Sequence, residues 1–179
     1  DKGPELKRYE QNQLRFARRP FVAVPISKLF TAIRNARIVY LGDFHTFDQN
    51  SKNVERILKL LVTTKLPLCI GIELVHSRHQ HLINHYLKSN ITETEFLQMI
   101  QYQESWKFPW HHYRAFFQLA KKHKLKVLAL NTSGTLKSRD LKAAKLIADF
   151  FQHHPQAKML VLFGEMHITP NKLPQLVKA

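Results

Sequence analysis

Cysteine is almost missing from this 179-residue chain. The one present, Cys69, has no partner for an internal disulfide, and inside the apolar run Leu68-Cys69-Ile70-Gly71-Ile72 it is expected to pack as a small hydrophobe. Long hydrophobic stretches are missing too. Lys59, Lys65 and Pro67 break the apolar runs well short of the ~20 residues a membrane span needs, and no secretory signal is visible, so the chain reads as a soluble piece. The opening Asp1-Lys2-Gly3-Pro4 suits a mature terminus or a trimmed one, and leaves room for a removed signal or lipid anchor. Acidic residues are scarce: 13 Asp+Glu stand against 28 Lys+Arg, a net charge of +15 that attracts anionic partners. Between Glu104 and Asp140 there is none at all, while eight basic residues from Lys107 to Arg139 fill the gap. A nucleic-acid partner would call for a recognisable module or an aromatic platform among those bases, and neither is found.

What is present is an alternation of helical and extended patterns with no internal repeat or linker, which favours one α/β layered domain over residues 1–179. A polar extension or helix occupies 1–19, and Ser27 is a candidate cap for a short helix carrying Leu29, Phe30 and Ile33. Core strands are predicted at 36–41, 68–73, 126–130 and 158–163. Between them, helical spacing is carried by Val54, Ile57, Leu58 and Leu61; by Leu82, Ile83 and Tyr86 in 76–87; by Phe96, Leu97 and Ile100 after a Thr92 cap; by Tyr113, Phe116, Phe117 and Ala120; and by Leu141, Ala144, Ile147, Ala148 and Phe151 in 139–153. Right-handed crossovers between parallel strands would send all four strand ends to one rim.

Chemistry-bearing residues cluster at those ends. Val39-Tyr40-Leu41 leads into Gly42-Asp43-Phe44-His45, and Val161-Leu162-Phe163 into Gly164-Glu165-Met166-His167. Each is a strand running into a glycine turn, the place where open α/β sheets collect ligand groups. Glu73 and Asn131 close the other two strands. Imidazoles and hard oxygens converging from separate strands suit a divalent transition metal held by His45, His167 and Glu73, or a histidine acting as general base under a carboxylate's direction. A single histidine is more often an ordinary hydrogen-bonded residue; the duplicated turn shifts that balance. The pairs His76/His79 and His81/His85 are more simply a solvated helix face, His111-His112 and His153-His154 surface, and Trp106, Trp110 and Tyr113 core packing.

The ordered series resembles the ChaN-like haem-binding family, part of a wider group with Tiki proteases and erythromycin esterases. The landmarks are Leu41-Gly42-Asp43-Phe44-His45, Gly71-Ile72-Glu73-Leu74 with His79-Gln80-His81-Leu82-Ile83, Trp110-His111-His112-Tyr113-Arg114, Ala129-Leu130-Asn131, Arg139-Asp140, and Gly164-Glu165-Met166-His167 before Leu173-Pro174. The resemblance implies a three-layer α/β fold with a mainly parallel sheet of about four or five strands and helices on both faces. It also implies haem or iron handling at a cell envelope, commonly as a lipoprotein, with haem held at the carboxyl rim. Among the haem-facing candidates are His45, His167, Glu73, Asp43, Glu165, Tyr113 and Asn131, with His76, His79 and Tyr86 as further axial candidates and Arg78 or Arg114 for the propionates. Without a Cys-x-x-Cys-His signature the haem would be non-covalent. A homodimer is compatible with this reading. Tiki-like relatives imply instead a metal-dependent hydrolase using His45, His167 and Glu73, and a basic interaction module with a degenerate site is the third expectation. Asp43 stands where the family's first turn usually has glutamate, and no second histidine follows soon after His45.

Overall fold

The computed structural model describes residues 3–18, 20, 22–43 and 48–178. Its chain groups into two compact units, Asp1–Ala32 and Ile33–Ala179. In the first, the expected polar extension is helical as α1, Pro4–Ala17, and a second helix, α2, Ile26–Asn35, begins there. Ser27 lies inside α2 rather than capping it, because the helix starts directly after Pro25, whose carbonyl accepts from the Lys28 and Leu29 amides.

The second unit alternates strand and helix: β1 Ile38–Asp43, α3 Asp48–Val62, β2 Leu68–His76, α4 Gln80–Leu87, α5 Glu93–Met99, α6 Tyr102–Ser105, α7 His111–Lys122, β3 Lys126–Asn131, α8 Leu136–His153, β4 Lys158–Gly164 and α9 Leu173–Lys178. Among the described residues the sheet has four strands, all parallel, in the order β1-β4-β2-β3. Their carboxyl ends therefore share one rim, as the strand-and-turn pattern predicts.

Strand alternation explains the two covered faces. Cys69, Met159, Val161, Phe163, Leu128 and Leu130 lie on the face packed by Ala143, Ala144 and Ile147 of α8 and Leu173 of α9. The intervening Ile70, Ile72, Leu160 and Leu162 are buried on the opposite face, where α3 and α4 both contact α7. Burial on both sides accounts for strands that read as unbroken apolar runs. Cys69 is fully buried, and burial pushes its thiol up to about 12, in keeping with a packing role.

Several boundaries move. β2 runs past Glu73 to His76, with an irregularity after Ile72, so the helix expected from 76 starts as a single 3-10 turn, Ser77–His79, before α4. Thr135 caps α8 three residues earlier than the apolar spacing indicates, and Leu141, expected inward, is 49% exposed. Thr92 forms the full capping box with Glu95. The aromatic stretch is core as expected: Trp110 and Phe117 sit 5.1 Å apart, and Tyr86 stacks on Phe96 at 4.6 Å. His112, read as surface, is buried; only its neighbour His111 faces out.

The edge strand β3 is closed by one side chain. Gln80 donates to the Val127 carbonyl and accepts from the Ala129 amide, both at 2.8 Å, which occupies two pairing groups in the middle of an otherwise open edge. Gly71 is a close approach: a β-carbon there would stand 2.7 Å from Leu130 Cδ1. Because Leu130 is fully buried and has nowhere to retreat, Gly71→Ala is expected to cost about 1–3 kcal/mol in denaturant unfolding, as overpacking does.

Candidate functional site

The rim is two clusters, one for each face of the sheet. Odd-numbered β2 residues Cys69 and Gly71 face α8, and Glu73 continues that alternation. It meets the first turns of α8. Arg139 Nη2 donates to Glu73 Oε1 at 2.5 Å and to Asn131 Oδ1 at 3.1 Å, while the Gly164 amide donates to Glu73 Oε2 at 2.6 Å. One carboxylate thus ties β2 to α8 and β4. Gly164 permits this, since a β-carbon there would sit 2.9 Å from Glu73 Oε2.

His167 joins the same cluster from the turn after β4. Its Nδ1 is hydrogen-bonded to Asp140 Oδ1, its Nε2 lies 3.6 Å from Glu73 Oε1, and its ring packs edge-on against Phe163 at 4.6 Å. Glu73, Asp140 and His167 are 6%, 1% and 4% exposed, so the cluster is an enclosed bracket. A buried polar group with its partners in place is a rigid one. In the sequence Asp140 and Arg139 are only a landmark pair; the structure makes them the partners that fix His167 and Glu73. The sequence does not separate them from a solvated helix turn; the burial of Asp140, 1% exposed where most aspartates are solvated, is seen only in the structure.

Asp43 belongs to the other face. It is 8% exposed at the end of β1 and accepts a 3.0 Å hydrogen bond from Tyr113 Oη of α7. Burial first, and the Asp43 charge second, hold the Tyr113 phenol far above its ordinary range, so this 1%-exposed tyrosine keeps its proton. As placed, it is closed to an iron that would need tyrosinate. Tyr86 is likewise held: its hydroxyl donates to Glu93 at 3.2 Å, and burial pushes the phenol up to about 12. Arg114, expected near propionates, is taken by the same glutamate at 3.1 and 2.6 Å. Glu165 is half-buried beside Gly42, its Cβ 3.7 Å from where a side chain there would begin. His45 lies outside the described residues, so the expected His45–His167 approach does as well. Among the described residues no group of three or more His, Cys, Asp or Glu side chains is arranged to hold a metal ion.

Among the described residues, His76 is an accessible imidazole of the rim, at the end of β2 and half-buried. Nδ1 accepts from the Arg78 amide at 3.2 Å, which leaves the proton on Nε2, 3.1 Å from the exposed Ser133 hydroxyl. Burial first, then the charges of Arg78, Lys142 and Arg139, hold its pKa below the ordinary 6.5. His79 is depressed as well, by burial and then Arg78. The neutral form, the one that ligates metals, therefore persists below the usual pH, inside a ring of cations. Both histidines bind protons more readily when unfolded, so stability is present above ~6.5 and declines as pH falls through that value. Melting temperatures taken from about pH 7.5 to about 5.5 should fall, and His76→Gln should flatten the fall.

The family model for "Haem-binding uptake, Tiki superfamily, ChaN" matches residues 29–139. The chain belongs to this family. Among solved structures, the chain is similar to ChaN of Campylobacter jejuni, described with cofacial haem bound, at a TM-score of 0.65 and 15% identity over 87% of this chain and 81% of that one. It is also similar to the RRSP effector domain of a MARTX toxin from Vibrio vulnificus (TM-score 0.58, 20% identity, 82% of this chain, 31% of that one). A third likeness is to the C-terminal region of Pasteurella multocida toxin, described with a thiol-protease-like catalytic triad (TM-score 0.61, 17% identity, 87% and 24%). At these identities the likenesses show a shared fold, and the toxins are three to four times longer than the part this ChaN-family chain spans. No curated protein matches the sequence. No helix among the described residues is long and apolar enough to cross a membrane.

Proposed function

We propose that this ChaN-family chain binds haem non-covalently at the carboxyl rim of its sheet, in haem or iron handling at a cell envelope. The observation that carries the reading is His76: an accessible imidazole kept neutral by burial and by Arg78, Lys142 and Arg139. Haem needs cations for its propionates and a free imidazole nitrogen for iron; the cations are in place, and His76 meets the second need once its ring turns so that Nδ1 leaves the Arg78 amide and takes the proton from Nε2. Arg139 Nε adds a buried donor that no acceptor among the described residues meets. His45, or His76 once Nδ1 is released from the Arg78 amide, would ligate the iron, Arg78 and Lys142 would pair with the propionates, and Glu73, Asn131, Arg139, Asp140 and His167 would keep the rim rigid. A homodimer and a lipid anchor outside this chain belong to the same proposal.

Variants test the assignment. In haemin titrations followed at the Soret band, alanine at the ligating histidine is expected to weaken binding at least tenfold, and His76→Ala is the first to make. Unchanged affinity in both His76→Ala and His45→Ala would remove histidine ligation.

One observation favours a second reading, a hydrolytic centre. The Asp140–His167 pair has the form of an imidazole oriented by a carboxylate, the arrangement a general base uses, and His45, His167 and Glu73 are its metal candidates. Turnover of ester or peptide probes that a chelator abolishes would support it. Turnover that survives chelation would leave the histidine pair without the metal.

A further inference from the structure

The opposite end of the sheet carries a second concavity that the haem reading does not use. A cavity of about 770 Å³ runs along β3, floored by Leu87, Leu125, Leu128 and Phe150. It adjoins another of about 360 Å³ around Pro67, and the two share Lys124, Leu125, Lys126 and Phe150. Lys126 begins β3 and Asn131 ends it, so roughly 16 Å of strand, at ~3.3 Å per residue, separates this trench from the rim.

Its charge is of one sign. Lys88, Lys121, Lys124 and Lys126 line the larger cavity, Lys65 extends the row into the smaller one, and no Asp or Glu lines either cavity among the described residues. Lys121 sits 3.6 Å over the Tyr86 ring, and burial lowers its pKa. Lys126 Nζ lies 2.7 Å from His154 Nε2. Lys65 and Lys124 hold left-handed backbone, φ 58° and 53°, at helix ends where glycine is the comfortable residue. An extended peptide is a poor occupant, because Gln80 already holds the Val127 carbonyl and the Ala129 amide in the middle of β3. An apolar floor under a lysine row matches a small amphiphile with an anionic head, and the volume is that of an ordinary ligand cleft.

We propose that this trench binds an amphipathic carboxylate of fatty-acid type, its chain on Leu87, Leu125, Leu128 and Phe150 and its head on Lys88 and Lys124. The proposal stands independently of haem at the rim. Laurate, below its micellar concentration, should displace 8-anilinonaphthalene-1-sulfonate from the protein saturably and one-to-one. The double variant Lys88→Gln/Lys124→Gly should bind laurate at least tenfold more weakly and melt no lower than the parent, because glycine relieves the left-handed position. Haemin affinity should be unchanged in it. Equal laurate binding by parent and variant, displacement by dodecanol as effective as by laurate, or displacement by polyglutamate but not laurate would each overturn the proposal.

Discussion

Glu73→Ala is expected to lower the melting temperature by about 10 °C. The substitution leaves the Arg139 guanidinium, 24% exposed, without its carboxylate, and strips the Gly164 amide of its acceptor. Breaking one half of a buried ion pair costs about 3–5 kcal/mol, because the remaining charge has given up water for nothing. At roughly 2–4 °C per kcal/mol for a chain of this size, the shift is easily read in a thermal melt. Glu73→Gln should cost less, since an amide oxygen can still accept from Gly164 or Arg139. A Glu73→Ala protein that melts within about 2 °C of the parent would show that the bracket does not hold the three elements together.

Phe163→Ala should come next, at about 3–5 kcal/mol in denaturant unfolding. Phe163 is fully buried on the α8 face of β4, and its ring supports His167 edge-on at 4.6 Å. Truncation therefore opens a cavity in the core and removes one wall of the imidazole's seat. Phe163→Leu should recover much of the stability, as it restores most of the volume, but not the ring contact. The two variants separate what the core needs from what His167 needs.

The sheet was legible because its strands are buried on both faces. Runs such as Leu68-Cys69-Ile70-Gly71-Ile72 and Met159-Leu160-Val161-Leu162-Phe163 have no other economical use, and glycine turns mark where they end. Glu73, Asn131 and His167 were visible as strand-end polar groups, and they do meet. What periodicity could not show was the division of the rim. Alternation places Glu73 with α8 and Asp43 with α7, and a single site drawn from strand ends merges two clusters that the sheet keeps apart. Arg139 and Asp140 escaped because an Arg-Asp pair early in a helix looks like a solvated turn until a buried histidine is found opposite. His76 reads only as a further axial candidate for a related reason. The apolar pattern ends its strand at Glu73, which puts it on a helix face rather than on the rim.

Acceptance of a porphyrin at the rim of this sheet is tested most directly by a titration of haemin into the wild-type protein at micromolar concentration. The predicted result is a saturable, shifted Soret band distinct from that of free haemin. A spectrum that stays that of free haemin at every protein concentration would contradict it.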